Sequence, residues 1–89
     1  MFSVTWVDDA RDELADEYVQ PDLTTQQLIA QIVSRFNASL AADPAGIGES
    51  RGNWRRVAFD WPYAISYLCD PATHAVNVTR FWRYGRSTR

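Results

Sequence analysis

Residues 54–83 read WRRVAFDWPYAISYLCDPATHAVNVTRFWR: three short runs rich in aromatic and β-branched residues, separated by two turn signals. Trp54 to Phe59 reads as a strand. Asp60-Trp61-Pro62 then bends the chain, because proline donates no hydrogen bond to a ladder and restricts the residue before it. Tyr63 to Cys69 is a second strand, with Tyr63, Ile65 and Tyr67 on one face, as the two-residue repeat of a strand requires. Asp70-Pro71-Ala72-Thr73-His74 makes the next turn. Val76, Val78 and Arg80 alternate along a last strand that ends near Arg83. Connections this short join neighbours antiparallel, so the stretch is a meander.

Upstream, Ala45 to Asn53 holds Gly46, Gly48 and Gly52 and reads as a loop. Before it, Leu28, Ile29, Ile32, Val33, Phe36 and Leu40 recur at helical spacing and define a buried face over about four turns. Thr24-x-x-Gln27 reads as the capping box that opens this helix, and Asp43-Pro44 ends it. Pro21 separates it from an earlier helix. There Ala10, Leu14 and Tyr18 form a narrow apolar stripe, and Asp8 stands where a cap would, with Asp9, Asp12 and Glu13 favouring the positive end of the helix. Phe2, Val4 and Trp6 alternate with Ser3 and Thr5 in a first strand.

The order is therefore β-α-α-β-β-β, an α+β fold. The first strand must join the meander, since a lone strand leaves its backbone unpaired. That gives a four-stranded, mainly antiparallel sheet with a helical hairpin packed on one face. The other face is left open or cupped, and many of its side chains come from the arginine-rich half of the chain. The tail from Gly85 to Arg89 is polar and is expected to fray.

Eighty-nine residues make a single domain, 1–89, and the 46% hydrophobic content suffices for one modest core. Cys69 is the only cysteine, so no internal disulfide forms, and the chain suits a reducing compartment or is indifferent to redox. No run approaches the length of a membrane span, and Met1 to Asp9 lacks the basic start of a signal peptide. The expected location is the cytoplasm, with no membrane partner.

The net charge of −2 conceals a segregation. Residues 1–49 carry nine acids against Arg11 and Arg35, a balance of −7. Residues 50–89 carry Asp60 and Asp70 against seven arginines, a balance of +5. No lysine is present, and arginine's planar fork suits phosphate and carboxylate. Arg51, Arg55, Arg56, Arg80, Arg83 and Arg86 interleave with Trp54, Trp61, Trp82 and Tyr84. Such a set can neutralise phosphates and stack on unpaired bases, or bind an acidic partner. A plainer reading also stands: Arg55 and Arg56 point to opposite faces, one of them pairs with Asp12 or Glu13, Trp54 and Trp82 join the core, and Trp61 packs on its turn.

A single histidine, His74, and a single cysteine leave no metal constellation by Cys/His ligation. No glycine-rich phosphate motif is present, and no cofactor is expected. His74 sits in a turn, where a solvated role suits it better than catalysis. Cleaving RNA by attack of a 2′-hydroxyl needs a proton acceptor, a proton donor and cations over the developing charge. Arginines supply the last; Tyr84, Glu49 or an unusual arginine would have to supply the others.

Along nearly its full length the sequence resembles the RelE/ParE toxin superfamily. Val4-x-Trp6 followed by Ala10-x-x-x-Leu14 looks like the family's opening strand and helix. Ala42-Asp43-Pro44, then Gly48 and Arg51, resembles the junction after its second helix. Arg56-Val57, Pro62-Tyr63-Ala64-Ile65-Ser66-Tyr67 and Val76-Asn77-Val78-Thr79-Arg80-Phe81 look like its closing strands. The resemblance implies the toxin of a type II toxin–antitoxin module, bound by a cognate antitoxin in a heteromeric complex. RelE-like members cleave mRNA on the ribosome; ParE-like members poison DNA gyrase and are not enzymes. On the nuclease reading Arg83 and Tyr84 form the catalytic pair, and Arg51, Arg55, Arg56, Arg80 and Arg86 hold nucleic acid or partner.

Departures from the cleaving members are local. Ala64 stands where they usually carry an arginine, Gly85 follows Arg83-Tyr84 where some carry a histidine, and Arg55 and Arg56 replace lysines. An acidic chain is also a poor polyanion binder. The competing reading is a catalytically inactive protein-interaction module.

Overall fold

The computed structural model describes residues 1–19 and 22–85; the break expected at Pro21, Arg86 and the tail beyond Gly85 lie outside the described residues. The elements are β1 (Ser3–Trp6), α1 (Asp8–Val19), α2 (Leu23–Ala42), β2 (Glu49–Ser50), β3 (Arg55–Asp60), β4 (Tyr63–Asp70) and β5 (Ala75–Arg83). The sheet order is β1-β5-β4-β3-β2, with β1 parallel to β5 and every other pair antiparallel. This is the α+β fold expected, with two helices on one face, and a sheet of five strands instead of four. The extra strand is β2, a segment read as loop, whose Glu49 and Ser50 pair with Val57 and Arg56. Gly48 permits the approach: at φ +69°, a Cβ there would lie 2.4 Å from the Val57 carbonyl oxygen.

Both helices begin slightly earlier than their patterns indicate. Asp22, not Thr24, caps α2, its carboxylate accepting the Thr25 N–H at 3.0 Å. The helix therefore opens at Leu23, and the Thr24/Gln27 box falls inside it. In α1 the Val7 carbonyl accepts the Arg11 N–H, which makes Asp8 the first helical residue instead of the cap. Asp8 and Asp9 still lie in the first turn, where acids complement the dipole.

The periodic apolar residues meet as the spacing requires. Ile29, Ile32, Phe36 and Leu40 of α2 and Ala10 of α1 are buried against Tyr63, Ile65 and Tyr67 of β4, Val76, Val78 and Phe81 of β5, and Ala58 of β3. Each large side chain among them stabilises the fold by about 1.5–3 kcal/mol through burial. Val4 and Trp6 pack against this cluster from β1, and the Trp6 indole donates to Asn37 of α2 at 2.8 Å. Tyr67 also ties down the chain after α2: its hydroxyl lies 2.8 Å from the Pro44 carbonyl and 3.0 Å from that of Ile47. Burial pushes the Tyr67 pKa up, which keeps this donor protonated.

β1 has four residues and β5 nine, so beyond Val78 the outer side of β5 has no strand against it. Glu13 of α1 covers that edge. One carboxylate oxygen accepts the Phe81 N–H at 2.9 Å, and the other accepts from the Arg80 guanidinium at 2.8 Å. Hydrogen bonding from Arg80, aided by the Phe81 N–H, holds the Glu13 pKa below its ordinary value of 4.5 against opposing desolvation. A depressed carboxylate contributes stability above its unfolded pKa and loses it as the pH falls through the folded one. Glu13→Gln should therefore unfold at lower denaturant than the parent at neutral pH, with the gap closing on acidification below 4.5. Denaturant midpoints compared across pH check this; a gap independent of pH would mean the charge contributes nothing.

Among the described residues no helix is long and apolar enough to cross a membrane.

Candidate interaction face on the open side of the sheet

In the β3–β4–β5 register, cross-strand partners share a face. The helix-facing partners are Arg56 with Tyr67, Ala58 with Ile65 and Phe81, and Asp60 with Tyr63 and Arg83. The opposite face, which no helix covers, carries three rows. Arg55, Leu68 and Asn77 form one; Val57, Ser66 and Arg80 the next; Phe59, Ala64 and Trp82 the third. Tyr84 follows Trp82 by two residues and packs edge-on against Phe59, with ring centroids 5.1 Å apart.

Side chains of unequal size line this face. Its middle is small and covered: Ala64 has no exposed surface, and Val57 and Ser66 are buried. One rim is aromatic and wet, with Phe59 45%, Tyr84 44% and Trp61 58% exposed. Trp61 leans across the chain at Gly85, where a Cβ would fall 2.3 Å from the indole nitrogen. The Tyr84 and Gly85 N–H groups both donate to the Pro62 carbonyl, which fixes the strand end under the indole. The two small residues at positions of departure from the cleaving members thus have a packing role. Ala64 lies between Phe59 and Trp82, and Gly85 lies beneath Trp61.

The arginines are not brought to one place. Arg51 pairs with Glu49 at 3.0 Å. Arg56, on the helix side, donates to the Ile47 and Gly48 carbonyls, so neither Asp12 nor Glu13 is its partner. Glu13 is taken by Arg80, the helix–sheet pairing that the plainer sequence reading gives to Arg55 or Arg56. Arg83 lies 5.9 Å from the Tyr63 ring centre and donates to the Gly85 carbonyl. Its register row places it on the face opposite Tyr84, because successive strand residues alternate. The Arg55 guanidinium alone of these stands on the open face with no hydrogen-bond or ion-pair partner among the described residues. Arg86 lies outside them.

Of the aromatics, Trp82 is half-buried, whereas Trp54 and Trp61 are exposed and belong to no core. Phe59 was missed as a site residue. Its parity with Arg55 and Val57 places it on the open face, and an aromatic there is the signal that could have found it. His74, at φ +54°, lies tilted against Phe2 with ring centroids 5.1 Å apart, far from the aromatic rim in sheet position. Among the described residues no cluster of three His, Cys, Asp or Glu side chains could hold a metal.

A concavity lies on the helical side of the molecule. It is an apolar groove of about 660 Å³ between α1 and α2, lined by Leu14, Tyr18, Ile29, Ala30 and Val33 among others. Tyr18, the end of the α1 stripe, is exposed here instead of buried.

No family model matches the chain, and no curated protein does. Solved structures do. A chain of the RelBE2 toxin–antitoxin complex from Mycobacterium tuberculosis is similar at 20% identity and TM-score 0.74, over 92% of this chain and 90% of that one. A chain of a chromosomal ParDE toxin–antitoxin system from P. aeruginosa is similar at 17% identity and TM-score 0.74, over 96% and 98%. The isolated RelE toxin of E. coli is similar at 14% identity and TM-score 0.64, over 98% and 88%. Over nine-tenths or more of its length, this chain has the fold of these RelE/ParE toxins.

Proposed function

We propose that the protein is the growth-arresting toxin of a type II toxin–antitoxin pair. A cognate antitoxin holds it inactive in a heteromeric complex in the cytoplasm. The apolar groove between α1 and α2, beside the six acids of α1, is the surface left for that antitoxin. Released, the toxin acts by seating the aromatic open face of its sheet on a protein target, the class of target that DNA gyrase represents for the ParE-like members.

One observation carries the choice of a binding action over RNA cleavage: the Phe59–Ala64–Trp82 row fills the Tyr84 end of the open face with apolar groups. General acid–base cleavage needs a proton acceptor and donor converging on one phosphate. Tyr84 faces Phe59, Arg83 stands on the other face, and Glu49 is paired with Arg51. Exposed aromatic side chains around a small, desolvated centre instead match the composition of protein interfaces.

Expression without the neighbouring open reading frame should stop growth, and co-expression of that frame should restore it. Normal growth at high expression would leave only the inactive interaction module. If growth stops, mRNA ends mapped at ribosomes separate the two actions. The binding reading predicts no new ends; new ribosome-dependent cleavage sites would replace it with the nuclease.

A further inference from the structure

The β2–β3 hairpin tip holds a residue that the isolated fold does not explain. Gly52, Asn53 and Trp54 all have left-handed backbones, at φ +82°, +51° and +68°. Glycine adopts that region freely and asparagine tolerates it, but a bulky residue there is strained. Trp54 is kept there by its neighbours: its carbonyl accepts the Cys69 N–H at 3.0 Å, and Arg55 N–H donates to the Gly52 carbonyl at 2.9 Å. The indole is nevertheless 69% exposed. A large apolar ring held mostly in water by strained backbone gains little from burial in this chain alone, and such strain concentrates where ligands are clamped.

The indole borders a cup of about 290 Å³, with Phe2, Ala45, Cys69 and Pro71 as apolar lining and Arg55 and Arg56 beside them. Of the tip's guanidinium groups, Arg51 is bound to Glu49 and Arg56 to the Ile47 and Gly48 carbonyls. Arg55 has no such partner among the described residues. A single uncommitted cation suits one carboxylate. Nucleic-acid binding draws its affinity from several phosphate contacts at once, and Asp70 lines the concavity on the other side of Trp54.

We propose that this tip is a docking site for a short acidic and apolar segment of a partner protein. One apolar side chain enters the cup beside Trp54, and a neighbouring carboxylate pairs with Arg55. The site lies at the opposite end of the strands from Tyr84 and does not depend on the toxin reading.

Panning a library of short random peptides on the full-length protein should enrich sequences with Asp or Glu next to Leu, Phe or Trp. For a selected peptide followed by fluorescence polarisation, Trp54→Ala and Arg55→Glu should each weaken binding by on the order of tenfold or more. Trp54→Gly should lose binding equally while raising Tm, because glycine relieves the left-handed backbone. That opposition separates a docking residue from a structural one. The proposal is overturned if no acidic–apolar sequence is enriched, if enriched peptides bind Trp54→Ala as tightly as the parent, or if Trp54→Gly loses stability along with binding. Tight binding of an oligouridine strand that Trp54→Ala removes would assign the tip to nucleic acid instead.

Discussion

On the proposed toxin reading, replacing Phe59 and Trp82 together by alanine is expected to abolish growth arrest while leaving the protein folded. Both side chains flank Ala64 on the uncovered face, and neither belongs to the buried cluster beneath the helices. Truncating a hot-spot aromatic of an interface typically costs at least about 2 kcal/mol of binding. Two such losses weaken target binding by on the order of a thousandfold, enough to restore colonies at ordinary expression. Single replacements of Arg83 and Tyr84 sharpen the same test. Tyr84→Ala should weaken arrest, because its ring completes the aromatic rim against Phe59. Arg83→Ala should leave it nearly intact, because that side chain lies over Tyr63 on the other face. A nuclease using both residues would lose activity with either. The readouts are plating efficiency under induced expression and circular dichroism of the purified variants. Persistent arrest by the folded Phe59/Trp82 double variant would rule out the proposed face.

The fold was legible in the sequence because its signals are periodic and local. Tyr63, Ile65 and Tyr67 announce their strand face, Ile29, Ile32, Phe36 and Leu40 their helix face, and all seven are buried where those repeats place them. What escaped depends on contacts distant in sequence. Glu49–Ser50 becomes a strand only because Val57 and Arg56 lie alongside it, and Gly48 lets the chains approach. Asp22 wins the cap from Thr24 through a single hydrogen bond that no spacing rule ranks. The candidate site was less legible still. Arginine clustering in sequence suggested one basic surface; alternation alone parts Arg55 from Arg56, and the register also parts Arg83 from Tyr84. Carbonyls, Glu13 and Glu49 then engage most of the rest. Composition reports charge; only the register reports which face receives it. The departures at Ala64 and Gly85 were visible as departures, but their packing role beside Phe59, Trp82 and Trp61 needed the third dimension.

Phe81→Ala is expected to be the most damaging single replacement for stability. Phe81 is 1% exposed, its ring lies nearly parallel to that of Tyr63 with centroids 5.1 Å apart, and Trp6 tilts against it at 6.0 Å. It thus joins β1, β4 and β5 at the place where β5 has lost its neighbouring strand and depends on Glu13 of α1 for cover. Truncating a buried phenylalanine costs about 3–5 kcal/mol, partly from lost burial and partly from the cavity left behind. A domain of this size has only roughly 4–13 kcal/mol in total. The melting temperature should fall by about 12 °C or more, against a smaller fall for Phe81→Leu, which keeps most of the volume. The Glu13 contact should weaken with it, since the same residue supplies the ring and the N–H that the carboxylate accepts. Combining Phe81→Ala with Glu13→Gln should therefore cost less than the sum of the two separate losses, because residues sharing one contact couple. Calorimetry on the four proteins measures this coupling. Strict additivity would show that the edge cover and the aromatic stack beneath it are independent.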